Sequence, residues 1–163
     1  MNERSPSYRP LASSEENRNA ATELARAARM QLALLTPDLE PVIYDNQAFI
    51  DAIQQLALRS RYSKIRILVG DPTNAVKSGH RLIELGRHLS SFIEFRRPSE
   101  QHANRTDAFM VIDETGLLYR PLSERYEGYF DPDNAFEARA HLRDFDAIWE
   151  QSEPEPEFRR LGL

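Results

Sequence analysis

Between residues 30 and 97 the spacing of the apolar side chains switches from strand-like to helix-like and back with only short connections, and that alternation leaves few folds open. Met30, Leu32, Leu34 and Leu35 form a short apolar run closed by "TPD", which reads as a strand ending in a turn. Residues 47–60 then put Phe49, Ile53, Leu56 and Ala57 on one helical face behind Asn46, a suitable cap. "KIRILVGDP" predicts a second strand bounded by Gly70, Asp71 and Pro72. A helix over 74–89 follows, with Val76, Leu82, Ile83, Leu85 and Leu89 on its stripe, and "SFIEFRR" supplies a third strand. Strand, helix, strand, helix, strand with tight links is the order of parallel pairing through right-handed crossovers.

The next two strands, "DAFMVID" and "GLLYRPL", are joined by "DETG". Asp113 takes the first turn position there and Gly116 the fourth, so the pair reads as a hairpin. The predicted class is therefore α/β: a mixed, mainly parallel sheet flanked by helices, with a C-terminal hairpin and helix. That last helix starts at Asn134, with Glu137 placed to close a capping box, and its stripe is Ala138, Leu142, Phe145 and Trp149. Residues 1–19, rich in Ser, Asn, Glu and Pro, read as a flexible arm. Residues 20–152 form the domain. Residues 153–163 are a tail whose Phe158, Leu161 and Leu163 are expected to strap onto the body or a partner.

Composition removes several functions. With 163 residues and 40% hydrophobic content the chain suits one core. Its 21 Lys plus Arg against 26 Asp plus Glu give a net charge of −5, so a nucleic acid would have to meet a local basic patch. Without cysteine there is no thiolate catalysis, Cys-ligated zinc or disulfide, which fits a cytoplasmic protein. No stretch approaches the ~20 apolar residues of a membrane span. The sequence has no Gly-x-x-x-x-Gly-Lys-Ser/Thr loop, no Gly-x-Gly-x-x-Gly, no Gly-x-Ser-x-Gly and no His pair at helical zinc spacing. With six glycines and no glycine-rich turn opening a helix, it lacks an acetyltransferase's pyrophosphate site, although the role of accessory module to such an enzyme stays open. No cofactor and no metal are expected.

In order and spacing, "RMQLALLTPDLEP", "FIDAIQQLALRSRYSKIRILVGDP", "RLIELGRHLSSFIEFRR" and "AFMVID" resemble one half of a phospholipase D-like enzyme over residues 22–151. "GHRLIELGRHLSS", "YRPLSERYEGYF" and "WEQSEPEPEFRRL" look like a bacterial family on that scaffold. The resemblance implies a His-x-Lys-x-x-x-x-Asp motif, with His as nucleophile and Lys holding the phosphate. With Asp113 on the motif Asp, the His position falls on Thr106 and the Lys position on Ala108. A Thr without a neighbouring base is a poor nucleophile, and a methyl group cannot neutralise phosphate. His102 stands four residues early, about 13 Å along an extended strand, and Phe109 occupies the position seven residues beyond it.

Ligands of open α/β sheets gather beyond the carboxyl ends of the parallel strands, here near Asp38, Asp71 and Arg97. His80 is expected on the inward face of its helix, and Arg120 interrupts an apolar strand. Asp71, His80 and Arg120 are thus the candidate ligand-binding cluster. Plain alternatives stand beside these readings: Asp71 and Asp113 as turn residues, His80 as a satisfied core histidine. His88 and His102 read as exposed, and His141 as paired with Glu137. Arg59, Arg61, Lys64 and Arg66 read as a solvated basic cluster, as do Arg96 and Arg97. Two functions remain: a non-catalytic module that binds a small anion, a phosphate-bearing ligand or a protein partner, or a divergent phosphodiesterase or nuclease using His80 or His102. A half-enzyme scaffold also implies a homodimer.

Overall fold

A computed structural model describes residues 4–158 as one eight-stranded open sheet with helices on both faces. The strands are β1 (Arg9–Leu11), β2 (Gln31–Thr36), β3 (Lys64–Val69), β4 (Ile93–Arg97), β5 (Ala108–Ile112), β6 (Gly116–Arg120), β7 (Gly128–Asp131) and β8 (Glu153–Pro154), in the spatial order β1-β7-β6-β5-β2-β3-β4-β8. As the alternation predicts, β2, β3 and β4 are parallel. β5 runs antiparallel beside β2, with Leu35 opposite Phe109, and β6 and β7 continue antiparallel.

The central strands read as near-continuous apolar runs because both of their faces are covered. Leu32, Leu34, Ile65, Ile67, Met110 and Leu118 point to α1 (Ser14–Ala27), α2 (Pro41–Tyr44), α3 (Gln47–Arg59) and α5 (Arg81–His88). Ala33, Leu35, Leu68, Phe109, Val111 and Leu117 point to α6 (Ala135–Glu150), which answers with Phe145, Ile148 and Trp149. Each large side chain so buried contributes about 1.5–3 kcal/mol. Asn46 and Asn134 cap α3 and α6 by accepting the amides of Phe49 and Glu137.

Four expectations are corrected. The stretch 74–89 is two helices, α4 (Thr73–Ser78) and α5, because Gly79 takes a left-handed φ of 69° and ends the first. The N-terminal stretch read as an arm contains β1, paired on β7, and the start of α1. Ser13 caps that helix by accepting the Glu16 amide, and its hydroxyl donates back to Glu16. In the hairpin, Asp113 and Glu114 both have positive φ and the Thr115 amide bonds to the Ile112 carbonyl, so Asp113 sits at the second turn position. A turn of this hand matches the twist of the strands. Finally, the sheet continues through β7 to β1 at one edge and to β8 at the other. Of the tail, Phe158 is buried and stacks on Phe95 with ring centroids 4.6 Å apart; Leu161 and Leu163 lie outside the described residues.

Candidate functional site

Because β5 is antiparallel to β2, its amino end opens at the same edge of the sheet as the carboxyl ends of β2, β3 and β4. A cleft of about 300 Å³ lies there, lined by the 35–37 and 70–71 segments, Arg97, Pro98, His102, Ala103, Arg105 and Asp107. Asp71 is exposed and accepts the Thr73 amide at 3.1 Å. Hydrogen bonding from Thr73, helped by the charge of Arg97, holds its carboxyl below the usual range. Arg97 is exposed and has no ion pair among the described residues. His102, on a 3₁₀ turn at Glu100–His102, donates Nε2 to the Gln151 side chain at 3.1 Å. Arg105 is gripped by Asp107 at 2.9 and 2.7 Å and by Asp144 at 3.0 and 2.6 Å. Although burial opposes its charge, these bonds raise its pKa above the ordinary value.

The other two candidates sit elsewhere. His80 has no exposed surface. It caps α5: Nδ1 accepts the Leu82 amide at 3.1 Å, and Nε2 therefore donates to the Leu39 carbonyl at 2.9 Å. Burial lowers its pKa and favours the neutral ring. The expectation of an inward-facing residue within a helix is thus corrected to a buried cap, set by Gly79 just before it. Arg120 ends β6 directly opposite Ala108 and donates Nη2 to Glu40; the Arg120 side chain is buried at 3% exposure and that of Glu40 largely so at 11%. Nη1 of Arg120 is buried without a hydrogen-bond partner. Burial raises the pKa of Glu40 despite the facing guanidinium, and Thr36 donates to its carboxylate at 3.2 Å. All three candidates therefore surround one turn, residues 36–40. Asp71 bonds it through its amide to the Pro37 carbonyl, His80 through Leu39 and Arg120 through Glu40. Of the three, Asp71 lines the cleft.

On β5, Ala108 is buried, while Thr106 just before the strand is exposed and offers its carbonyl to the Ser123 amide. The Asp113 carboxylate accepts three backbone amides, those of Arg29 at 2.7 Å and of Met30 and Gln31 at 2.9 Å. The basic cluster divides: Arg66 is buried against Phe145 and Trp149 and pairs with Asp146 at 2.8 Å, whereas Arg59, Arg61 and Lys64 are exposed. Arg96 likewise lies over Trp149 and pairs with Glu94. His141 donates to the backbone carbonyl of Glu137, with its ring 4.7 Å from that of Tyr119. Glu40, Arg105 and Asp107 are the site residues that sequence reasoning misses. The signal for Glu40 is slight: an acid just before Pro41 at a helix start.

Among the described residues no group of three or more His, Asp or Glu side chains could hold a metal ion. No helix there is long and apolar enough to cross a membrane.

A family model described as "Domain of unknown function (DUF7931)" matches residues 13–161. The chain belongs to the DUF7931 family. No curated protein matches it. Among solved structures it is similar to Nuc of Salmonella typhimurium, a phospholipase D family member, with a TM-score of 0.66 at 15% identity over 93% of this chain and 99% of that one. NucT of Helicobacter pylori gives 0.64 at 12% over 91% and 98%. TrmBL2, an archaeal chromatin protein whose structure shows a mode of DNA binding, gives 0.67 at 14%; the match covers 95% of this chain and 57% of that one. At these identities the likeness shows the fold, and the fold of this DUF7931 chain is phospholipase D-like.

Proposed function

We propose that this DUF7931 chain is a non-catalytic phospholipase D-like module whose cleft takes a small anionic group, free or carried on a larger partner. The observation that carries this reading is the Arg120–Glu40 pair beside Ala108. Where the family resemblance calls for a phosphate-binding Lys there is a buried methyl, and the cation next to it is already neutralised by a carboxylate. Asp113, the retained motif position, serves three backbone amides. Arg97 is the cation left facing the cleft, with Asp71 limiting how much negative charge the site accepts. His80 and Arg120 support the turn beneath.

The competing reading, a divergent phosphodiesterase or nuclease, rests on His102, the histidine that lines the cleft; His80 has both ring nitrogens engaged and no exposed surface. The DNA binding of TrmBL2 is a property of that protein, and the net charge of −5 here disfavours a nucleic acid in the cleft. A two-fold homodimer that sets two such clefts together belongs to the same proposal. Light scattering on a sizing column reads it directly: a mass near twice 18.8 kDa supports it and a monomer removes it.

The anion site is tested by thermal unfolding. Phosphate at about ten times its dissociation constant should stabilise the fold by about 1.4 kcal/mol beyond chloride at matched ionic strength, a rise of roughly 3–5 °C for a chain of this size. Arg97→Ala should abolish the rise. An equal rise in that variant, or none in the parent, contradicts the site.

A further inference from the structure

The opposite edge of the sheet, at the amino ends of β2 and β3, carries a second surface that the cleft does not use. The end of α1, the bend into β2, the last turn of α3 and the turn before β3 meet there. Arg59 donates Nη1 to the Ala28 carbonyl at 3.0 Å, and the Lys64 amide donates to the Met30 carbonyl at 2.9 Å. Arg26, Arg29, Arg59, Arg61 and Lys64 are exposed, and none has an ion pair among the described residues. On a chain of net charge −5 this is a local reversal of sign. The nearby carboxylates offset it only in part: Glu23 is paired with Arg9, and Asp113, Glu114 and Asp51, the last beside Leu58 and Arg59, stand against five cations. Among the cations three large apolar side chains stand in water, Met30 at 41%, Leu58 at 58% and Tyr62 at 66% exposure.

A partner for this edge must offer negative charge and an apolar medium together. A second copy meeting it two-fold would set cations against cations. A nucleic acid would answer the cations but leave the aliphatic Leu58 and Met30 wet, since it offers phosphates and base faces. An anionic bilayer supplies both, with charged headgroups for Lys and Arg and an acyl boundary for Leu, Met and Tyr. We infer that this edge docks the protein reversibly on an anionic lipid surface. Leu58, Met30 and Tyr62 enter the headgroup layer and the five cations face the lipid charges.

The test is co-sedimentation of the full chain with vesicles of phosphatidylcholine alone or with about one-third phosphatidylglycerol, an anionic content at which basic patches partition. Binding is expected on the anionic vesicles alone, weakening as salt shortens the screening length. Arg61→Gln with Lys64→Gln should weaken it by roughly 25-fold, about five-fold per charge. Leu58→Ser with Tyr62→Ser should weaken it at least ten-fold while the exposed positions leave the melting temperature unchanged. Equal binding to neutral vesicles, no binding to anionic ones, or full binding by either double variant overturns the inference. So does tighter binding to a DNA or RNA oligonucleotide that Leu58→Ser with Tyr62→Ser leaves intact.

Discussion

Glu40→Ala should destabilise the protein by about 3–5 kcal/mol, because it leaves the Arg120 guanidinium buried and without its counter-charge. Arg120→Met should cost less, since the remaining carboxyl can escape by taking up a proton. Glu40→Leu combined with Arg120→Met should come back to within about 1–2 kcal/mol of the parent, as replacing a whole buried pair by apolar groups is nearly neutral. Urea unfolding of the parent, both single variants and the double variant gives the coupling directly. A Glu40→Ala cost below about 1 kcal/mol would mean that Arg120 does not depend on this carboxylate, and would return it to the list of anion-binding groups. The pair also has a pH signature. Burial raises the folded pKa of Glu40 above the ordinary 4.5, so in that window the folded state binds more protons than the unfolded one. Its contribution to stability therefore falls as pH climbs from 4.5 through the raised value. The difference between the parent and Glu40→Gln should show this decline.

Asp113→Ala should cost about 2–3 kcal/mol. Its carboxylate makes three charge-assisted bonds to the 29–31 amides, and these are discounted because two of the donors lie at the surface. The substitution also puts Ala at a φ of 53°, a left-handed conformation that Asp and Asn tolerate better. Asp113→Asn should keep the backbone and part of the bonding, and lose no more than about half as much. Chemical denaturation separates the two variants. An equal cost for both would place the effect in the negative charge, and a negligible cost for both would deny the residue its anchoring role.

The centre of the sheet was legible because its strands are apolar on both faces. The runs at 31–36, 64–69 and 108–112 carry that signal without needing register. α1 was obscured because its buried face is built from Ala20, Ala21, Leu24 and Ala25, which hardly raises the local hydropathy. The cap that starts it, Ser13 with Glu16, was present in the sequence. β7 has four residues and β8 two, too short for a period to show. At the site, Asp71 could be placed from its position after a parallel strand. The Glu40–Arg120 pair could not, because its partners are 80 residues apart and meet only once β6 lies in the sheet. His80 looked like a helix-face residue because the helical period runs through Gly79, while the left-handed turn at that glycine makes it a cap. Arg66 looked like a member of a basic cluster until the strand register turned it under Trp149.

We propose that the phospholipase D-like sheet of this chain supports binding without phosphodiester chemistry. Turnover of a generic activated phosphodiester by the purified chain, followed beside His102→Ala and a buffer blank, separates binding from catalysis. Hydrolysis is expected at the blank rate for both proteins, because Thr106 and Ala108 stand where the motif calls for the nucleophilic His and the phosphate-holding Lys. Hydrolysis above the blank that persists with chelator and disappears in His102→Ala would contradict it.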